Sequence, residues 1–482
     1  MRFAIRPSSS LFPRIHWVQM PIAGTTPKPR RRPYPELPVT IAPIASDLMV
    51  GEGRGGSLES GAIAQRLFAL SQVEVGSHTL THPFDWSFFA DYDRSREVGV
   101  ITKAESGADT RVINWFNRLL RGDKALISGS ADTPRAFMSE PFDLQKEVER
   151  AIEVTEQFAP EGKRVRLYQW SGNARPFADA IKQARLSGLR NINGGDSRFD
   201  ADFPSVAYVA PISRQVGEER QIYAVNSNEN TYTNDWTGPF YGYQNLDKTL
   251  ANTEEPRRLK GFNVYYHVYS AERRASLDAV RAMLDLARRS KLAPITASQY
   301  VDIAEGFFSS NIEVVDDDVW SISNRNALDT VRFDDADTLQ VDLARSEGVL
   351  GSNRHAGSLY VALDAAAPAV KLTIQDLGNS EHASEVNRPV LRDSRWMIKA
   401  LSWTSACTFS YNTSGFGRPE TTWAVKPSSR YSVRVSAAGV ELWSGDAHSD
   451  GAGILYLDFP GQGPASLKVA VTCVARATAV LP

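Results

Sequence analysis

Acidic residues are missing from the start of this chain: no Asp or Glu precedes Glu36, whereas seven Lys and Arg residues fall in the same stretch, among them Arg30, Arg31 and Arg32. A start so biased in charge and interrupted by prolines reads as an anomalous basic segment, residues 1–35, with the character of a disordered tail. Cysteine is scarce, with only Cys407 and Cys473, both in the last quarter. Two cysteines make no disulfide framework, and they leave open either one bridge or two buried thiols. Long apolar runs are absent too, so no eighteen-residue stretch is available to span a bilayer, and Met1 to Gly24 lacks the compact apolar core and small-residue cleavage site of a secretory signal. Histidine occurs only seven times, which makes any clustering of imidazoles informative.

What is present fits a globular protein. With 482 residues, 42% hydrophobic and 23% charged, the chain is too long for a single ordinary core and is neither compositionally disordered nor membrane-like. A formal net charge of -2 supplies no global attraction to nucleic acid or to an acidic membrane surface, so no nucleic-acid partner is expected.

From Leu37 the pattern alternates between strand and helix. The apolar run Val39 to Ile44 is followed by a helical stretch Ser60 to Leu70 and then by the short run Val73 to Val75. After a long irregular segment, Leu144, Val148, Ile152, Thr155 and Phe158 lie on one helical face before the strand-like Val165 to Trp170. Ala178 to Leu186 reads as helix and Arg190 to Ile192 as strand; Val206 to Pro211 and Ile222 to Val225 look extended. Phe262 to Tyr266, the helix Ala271 to Arg289, the strand Pro294 to Ala297 and a helix ending near Phe308 complete about seven units. This α/β grammar over residues 36–310 predicts a (β/α) barrel more readily than an open doubly wound sheet. Beyond about Asn311 the segments Leu339 to Leu343, Leu359 to Leu363, Val370 to Ile374, Tyr431 to Val435, Ile454 to Phe459 and Leu467 to Cys473 alternate with Gly and Asp turns. That pattern predicts an antiparallel β-sandwich over residues 311–482.

The sharpest local feature is Ser77-His78-Thr79-Leu80-Thr81-His82-Pro83, placed directly after the strand Val73 to Val75. Two imidazoles four positions apart on one turn can converge on one metal ion, and the C-terminal end of a barrel strand is where such folds carry their sites. A metalloprotease helix of the His-Glu-x-x-His kind is excluded, because Thr79 stands where its Glu base would be and Pro83 would interrupt the helix. Aromatic residues follow at once, Phe84, Trp86, Phe88 and Phe89. Four further segments are rich in polar and aromatic residues: Gln169-Trp170-Ser171-Gly172-Asn173, then Asn191 to Arg198 with its Gly194-Gly195-Asp196, then Asn228 to Pro239, then Tyr265-Tyr266-His267-Val268-Tyr269-Ser270.

Over Pro38 to Phe308 these segments together resemble the metal-dependent polysaccharide deacetylases of the NodB-like family, closest to the branch that deacetylates the Pel exopolysaccharide. Ser-His-Thr-x-x-His-Pro is similar to that family's second motif. The resemblance implies His78 and His82 as ligands of a divalent metal, expected to be Zn2+ with Co2+ or Ni2+ as alternatives, and His267 as the general acid that protonates a departing amine. It implies for Asp196 the acidic group that orients the catalytic histidine; taken alone, Gly-Gly-Asp-Ser would be an Asx-turn or a helix cap. Trp86, Arg175, Asn234, Asp235 and Trp236 are the expected contacts to a sugar substrate, Trp and Tyr faces being suited to stacking on sugar rings. The implied activity is removal of acetyl groups from an N-acetylhexosamine polysaccharide, N-acetylgalactosamine being the expected sugar. The cell envelope is the implied location, with an exopolysaccharide export complex as a possible partner.

The chain departs from the family at one decisive point. The family's first motif sets paired aspartates at the end of the first barrel strand, as base and third metal ligand, and that strand should fall in the stretch of 1–35 that has no acid. Asp47 follows what reads as the second strand. The barrel is therefore expected to lack its first strand, through a start or reading frame that replaces it with unrelated basic sequence. The alternative is a catalytically inactive protein that binds polysaccharide or takes part in assembling an export complex.

Overall fold

The computed structural model describes residues 5–7, 14–19, 34–50, 57–106, 133–136, 140–253, 261–378, 387–460 and 465–474. It is a mixed α/β structure with one mainly parallel sheet and several antiparallel ones.

The parallel sheet runs in the order Leu292–Pro294, Arg14–Gln19, Val39–Ile41, Val73–Ser77, Leu167–Gln169, Arg190–Ile192, Glu219–Ile222 and Ser213–Val216, with Phe262–Val264 also paired to Arg14–Gln19. The last two strands of the run form an antiparallel hairpin at its edge. The strand Arg14–Gln19 corrects two expectations. The basic segment is not wholly a tail, and the position ahead of Val39–Ile41 is filled: Val18 pairs in parallel with both Val39 and Val264, and His16 with both Phe262 and Pro294. No acidic residue lies in that strand. Ile5–Pro7 also departs from a tail, adding antiparallel to Thr330–Phe333.

Side-chain alternation explains how the sheet is covered. Val39, Ile41, Val73 and Val75 share a core with Ala64 and Phe68 of the helix Leu58–Phe68, with Val148, Ala151 and Val154 of Leu144–Glu156, and with Ala180, Ile181 and Ala184 of Ala178–Leu186. Leu167, Ile192 and Ile222 instead pack with Ala297, Tyr300, Val301 and Ala304 of the helix Ala297–Ser309. Between Val39 and Ile41 stands Thr40, whose hydroxyl donates to Glu74 Oε2 at 2.8 Å and accepts from Ala297 N at 3.1 Å. Glu74 also accepts from Ser298 N at 3.1 Å. A carboxylate projecting from the sheet thus meets the partly positive N-terminus of that helix and satisfies N–H groups that the helix cannot pair internally.

Where the pattern Val206 to Pro211 looks extended, a single 3-10 turn, Val206–Tyr208, forms instead, capped by the Ser205 hydroxyl. Ala297 opens a helix rather than closing a strand, because Thr296 and Gln299 make a reciprocal capping box there. None of the helices among the described residues is long and apolar enough to cross a membrane.

The β-rich part forms two pairs of sheets with separate cores, where one sandwich was expected. In the first, the sheet containing Asn311–Asp316, Val319–Ser323, Ala369–Asp376 and Leu339–Val341 shares a core with the sheet containing Ile5–Pro7, Thr330–Phe333, Ser358–Leu363 and Val349–His355; Trp320, Phe333, Val361 and Leu372 lie between them. In the second, the strands Val390–Ser394, Thr421–Ala424 and Ile454–Leu457 face the five strands Met397–Ser405, Thr408–Gly415, Ala465–Cys473, Arg430–Ala437 and Val440–His448 around Trp396, Tyr411, Trp423, Tyr431 and Val469.

Cys407 and Cys473 are joined in a disulfide that ties the start of one strand to the end of its neighbour, 66 positions apart, beside a backbone bond from Cys473 N to Cys407 O of 2.8 Å. Closing a loop of that length restricts the unfolded chain, an effect worth about 2–4 kcal/mol. Replacing both cysteines by Ser should lower the stability of the second pair of sheets by about that amount. Urea unfolding followed by tryptophan fluorescence checks this; an unchanged midpoint contradicts it.

Candidate functional site

The turn after Val73–Ser77 is built from strained backbone. Thr79 and His82 both have left-handed conformations, with φ of 73° and 56°. That region is costly for any residue with a Cβ and most costly for a β-branched one such as Thr. The turn is held by a residue far away in sequence. Glu147, on the first turn of Leu144–Glu156, is buried at 1% exposure; its Oε1 accepts from Leu80 N at 2.9 Å and Thr81 N at 2.8 Å, and its Oε2 from the Thr81 hydroxyl at 2.8 Å. The Thr79 hydroxyl accepts from His82 N at 3.0 Å, and His78 N donates to Pro43 O at 2.8 Å. Ala45 and Ser46 donate to the carbonyls of Thr79 and Leu80, so the short 3-10 helix Ala45–Leu48, which includes Asp47, braces the turn from the neighbouring strand end.

On the other side lies the segment 133–136. Phe84 N donates to Pro134 O at 2.8 Å, and Ala136 N donates to both Thr81 O and His82 O at 3.1 Å. A wholly buried ion pair anchors this segment: Arg135 Nε meets Glu97 Oε1 at 2.7 Å and Nη2 meets Oε2 at 3.2 Å, while Tyr92 donates to Glu97 Oε2 at 2.6 Å. The loop after Leu167–Gln169 closes in from a third direction. Gly172 has φ 57°, and a Cβ there would stand 2.3 Å from Phe84 O, so only glycine admits the contact in which Asn173 N donates to Phe84 O at 2.8 Å.

These supports bring the two imidazoles together. The His78 and His82 ring centroids are 5.1 Å apart, edge to face, and His82 packs on Phe84 at 5.0 Å. His78 Nδ1 lies 3.0 Å from Gln169 O, an arrangement that places the ring proton on Nδ1 and leaves the Nε2 lone pair for a ligand. Burial pushes the His78 pKa down to about 4, with the nearby His267 adding to the effect and the Gln169 carbonyl opposing it. The ring is therefore neutral at pH 7. Two imidazoles on one turn, one of them uncharged with its tautomer fixed by a carbonyl, fit two coordination positions of a divalent cation such as zinc. No group of three or more His, Cys, Asp or Glu able to hold a metal occurs among the described residues.

His267 follows the strand Phe262–Val264 and has a different environment. Glu229 Oε1 accepts from both the His267 backbone N–H and its ring Nδ1, each at 2.9 Å, and Tyr269 lies parallel to the ring at 4.9 Å, 7° from coplanar. Glu229 is 1% exposed and opens the one-turn helix Glu229–Tyr232, which Asn228 caps through its side chain. Its Oε2 has no hydrogen-bond partner among the described residues. Burial opposes protonation of His267, but the charge and hydrogen bond of Glu229 together outweigh it and hold the pKa above the ordinary histidine value.

The carboxylate expected on His267 is thus a different one. No hydrogen bond joins Asp196 to His267 among the described residues; Glu229 occupies that role because its short helix starts directly beneath the ring. Asp196 faces another acid, and loss of hydration together with the Asp235 carboxylate raises its pKa. Asn234, Asp235 and Trp236 form a left-handed run, φ 49°, 49° and 66°, with Asn234 and Asp235 exposed. Trp236 is half-buried, donates from Nε1 to Asn230 Oδ1 at 2.6 Å and meets Tyr269 edge-on at 5.2 Å, which sets it next to His267. Arg175 is exposed and forms no ion pair among the described residues. Trp86 is corrected from a sugar contact to a core residue. It is fully buried, its indole donates to Ser171 O at 3.2 Å, and Trp170 and Phe177 pack against it, leaving no face for a ligand.

No protein-family model matches this chain, and no curated protein matches it.

Two measurements test the site's supports. Glu147 to Ala strands the N–H groups of Leu80 and Thr81, and by the cost of unsatisfied buried donors should destabilise the fold by about 2–4 kcal/mol. Glu147 to Gln keeps an oxygen for both. Burial raises the Glu147 pKa to about 7, against the opposing pull of its Thr81 and Leu80 hydrogen bonds. The folded state then holds the proton more tightly than the unfolded chain, and stability from this group is full below the ordinary carboxylate value and lost as pH rises to about 7. The Gln variant, which cannot titrate, should lose that part of the pH slope in denaturant unfolding; an unaltered slope refutes the assignment. In Glu229 to Gln, the His267 ring should titrate at lower pH than in the parent, as followed by NMR of the imidazole carbon-bound protons, because the charge that raises its pKa has gone.

Proposed function

We propose that this protein is a metal-dependent N-deacetylase of an N-acetylhexosamine exopolysaccharide of the Pel kind, built on a (β/α) barrel whose strand ends carry the site. The observation that supports it most is the pair of contrasting histidine environments after two strands of the same parallel sheet, Val73–Ser77 and Phe262–Val264. Burial pushes the His78 pKa down to about 4 with Nε2 left for a ligand, whereas the charge and hydrogen bond of Glu229 raise that of His267 above the ordinary histidine value. Enzymes that use similar groups in opposite protonation states separate their pKa values in this way.

His78 and His82 would hold the cation, which when bound polarises the acetyl carbonyl. His267, with Nδ1 committed to Glu229, can deliver its other ring proton to the nitrogen that leaves as acetate is released. Glu229 fixes that ring in orientation and stabilises its charge. Tyr269 on one ring face and Trp236 beyond it form an aromatic wall suited to the apolar faces of a sugar. The disulfide Cys407–Cys473 suits an oxidising compartment such as the cell envelope.

A second reading is glycan binding without hydrolysis. One observation favours it: the strand Arg14–Gln19 fills the first position with no acid to serve as base or third ligand.

Acetate release from an N-acetylgalactosamine oligomer, with zinc or cobalt added and chelator as control, separates the two. Deacetylation predicts chelator-sensitive release, lowered about 10²–10⁴-fold in His267 to Ala, the range typical of a lost general acid. Oligomer binding with no release from the metal-supplemented, folded protein establishes the binding reading instead.

A further inference from the structure

A cavity of about 310 Å³ lies where the parallel-sheet region meets both pairs of antiparallel sheets. Pro294 and Ile303 contribute from the first region, Leu363 from the second, and Leu391, Trp396 and Ile398 from the third. It shares none of these residues with the histidine site. Its size falls within the range of small-molecule sites, which favour the seams between modules, and it is about twice a cavity of roughly 150 Å³ known to take up benzene.

The walls are fixed by directed contacts. Trp396 donates its indole N–H to Phe416 O at 2.8 Å, and its ring lies so close to Gly415 that a Cβ there would be 2.5 Å away. Arg395 spans the seam, with Nε on Leu292 O at 2.8 Å and Nη1 on Glu420 at 3.3 Å. Exposed Ala327 and Met397 mark where the cavity reaches the surface.

The charges around it are unevenly used. Asp302 is paired with Arg190, and Arg395 is engaged as above. Arg325 directs its guanidinium to the carbonyls of Leu328 at 2.6 Å, Asp364 at 2.6 Å and Ala367 at 2.9 Å. Asp329, which also lines the cavity, makes no side-chain ion pair among the described residues. Burial raises its pKa to about 6, and the nearby Arg325 charge opposes the rise. A carboxylate in an apolar wall, without a directly bonded cation, favours a positively charged hydrogen-bond donor.

We propose that this cavity binds a compact amphipathic cation, an ammonium group carried on an apolar ring system, with the ring against Pro294, Leu363 and Trp396 and the ammonium at Asp329. Calorimetric titration of the full chain with 1-naphthylmethylamine, 1-naphthylmethanol and 1-naphthylacetate tests it. The amine should bind at least tenfold more tightly than the alcohol, and the acetate should not bind. Asp329 to Asn should abolish the preference for the amine while the alcohol binds as before. Ala327 to Trp, a change at an exposed turn position, should block all binding, with circular dichroism checking that the structure is intact. Absence of amine binding to the parent chain overturns the proposal, as do equal affinities for amine and alcohol, or amine binding that survives both substitutions.

Discussion

One buried carboxylate organises the histidine turn. Without Glu147 the N–H groups of Leu80 and Thr81 would have no partner in an apolar setting, and the left-handed Thr79 and His82 would be free to relax toward commoner conformations. Three hydrogen bonds converge on this one side chain, and the core packing of Val148, Ala151 and Val154 fixes the helix that carries it. The strain in the turn is thus offset by burial elsewhere, and the spacing of the two imidazoles is a consequence of helix docking as much as of local sequence. The Arg135–Glu97 pair acts similarly on the opposite flank, where it anchors the segment that bonds to Thr81 and His82.

The second organising effect is electrostatic. Two imidazoles so placed compete for a proton, and the nearby His267 makes protonation of His78 less favourable. Their environments resolve that competition. His78 loses hydration and has only a carbonyl as partner, whereas His267 has an acid that contacts both its ring and its backbone. Four tyrosines around Glu229, Tyr243, Tyr265, Tyr266 and Tyr269, all have their ionisation made harder, by burial and by the charge of that acid. They remain neutral hydroxyls, and His267 is the group whose protonated form the Glu229 charge favours.

Part of this was readable in advance. Ala178–Leu186 and Arg190–Ile192 form as their periodicity indicated, and the spacing of His78 and His82 after a strand places both rings in one turn. Glu147 escaped notice because its contact spans more than sixty positions. A signal was nonetheless present: it stands three after Leu144 and four before Ala151, inside the apolar stripe of an amphipathic helix, where a charge is expected only if it is paired. Glu229 lies within the polar segment Asn228 to Pro239, but the family resemblance points to Asp196 for the orienting acid, and nothing in the local sequence of Glu229 marks it as the partner of His267. The single sandwich became two because alternating strands reveal which side faces inward and do not reveal which strands share a core. Trp86 illustrates the same limit, since an indole can plug a core or stack on a sugar and composition is identical in both cases.

The acid-free strand Arg14–Gln19 bears on how the histidines must work together. A carboxylate at that strand end would offset part of a bound cation's charge, and an uncharged imidazole does not. His267 would then feel that positive charge more fully, which favours its neutral form and opposes its use as an acid. Among the described residues Glu229 supplies the opposing charge in direct contact with the ring, through bonds of 2.9 Å to Nδ1 and to the His267 backbone N–H, and its other oxygen is unengaged. A carboxylate so deeply buried and incompletely bonded is costly to maintain for packing alone. Its position is accounted for under the proposed deacetylation, in which Glu229 would sustain the proton on His267 against a nearby cation.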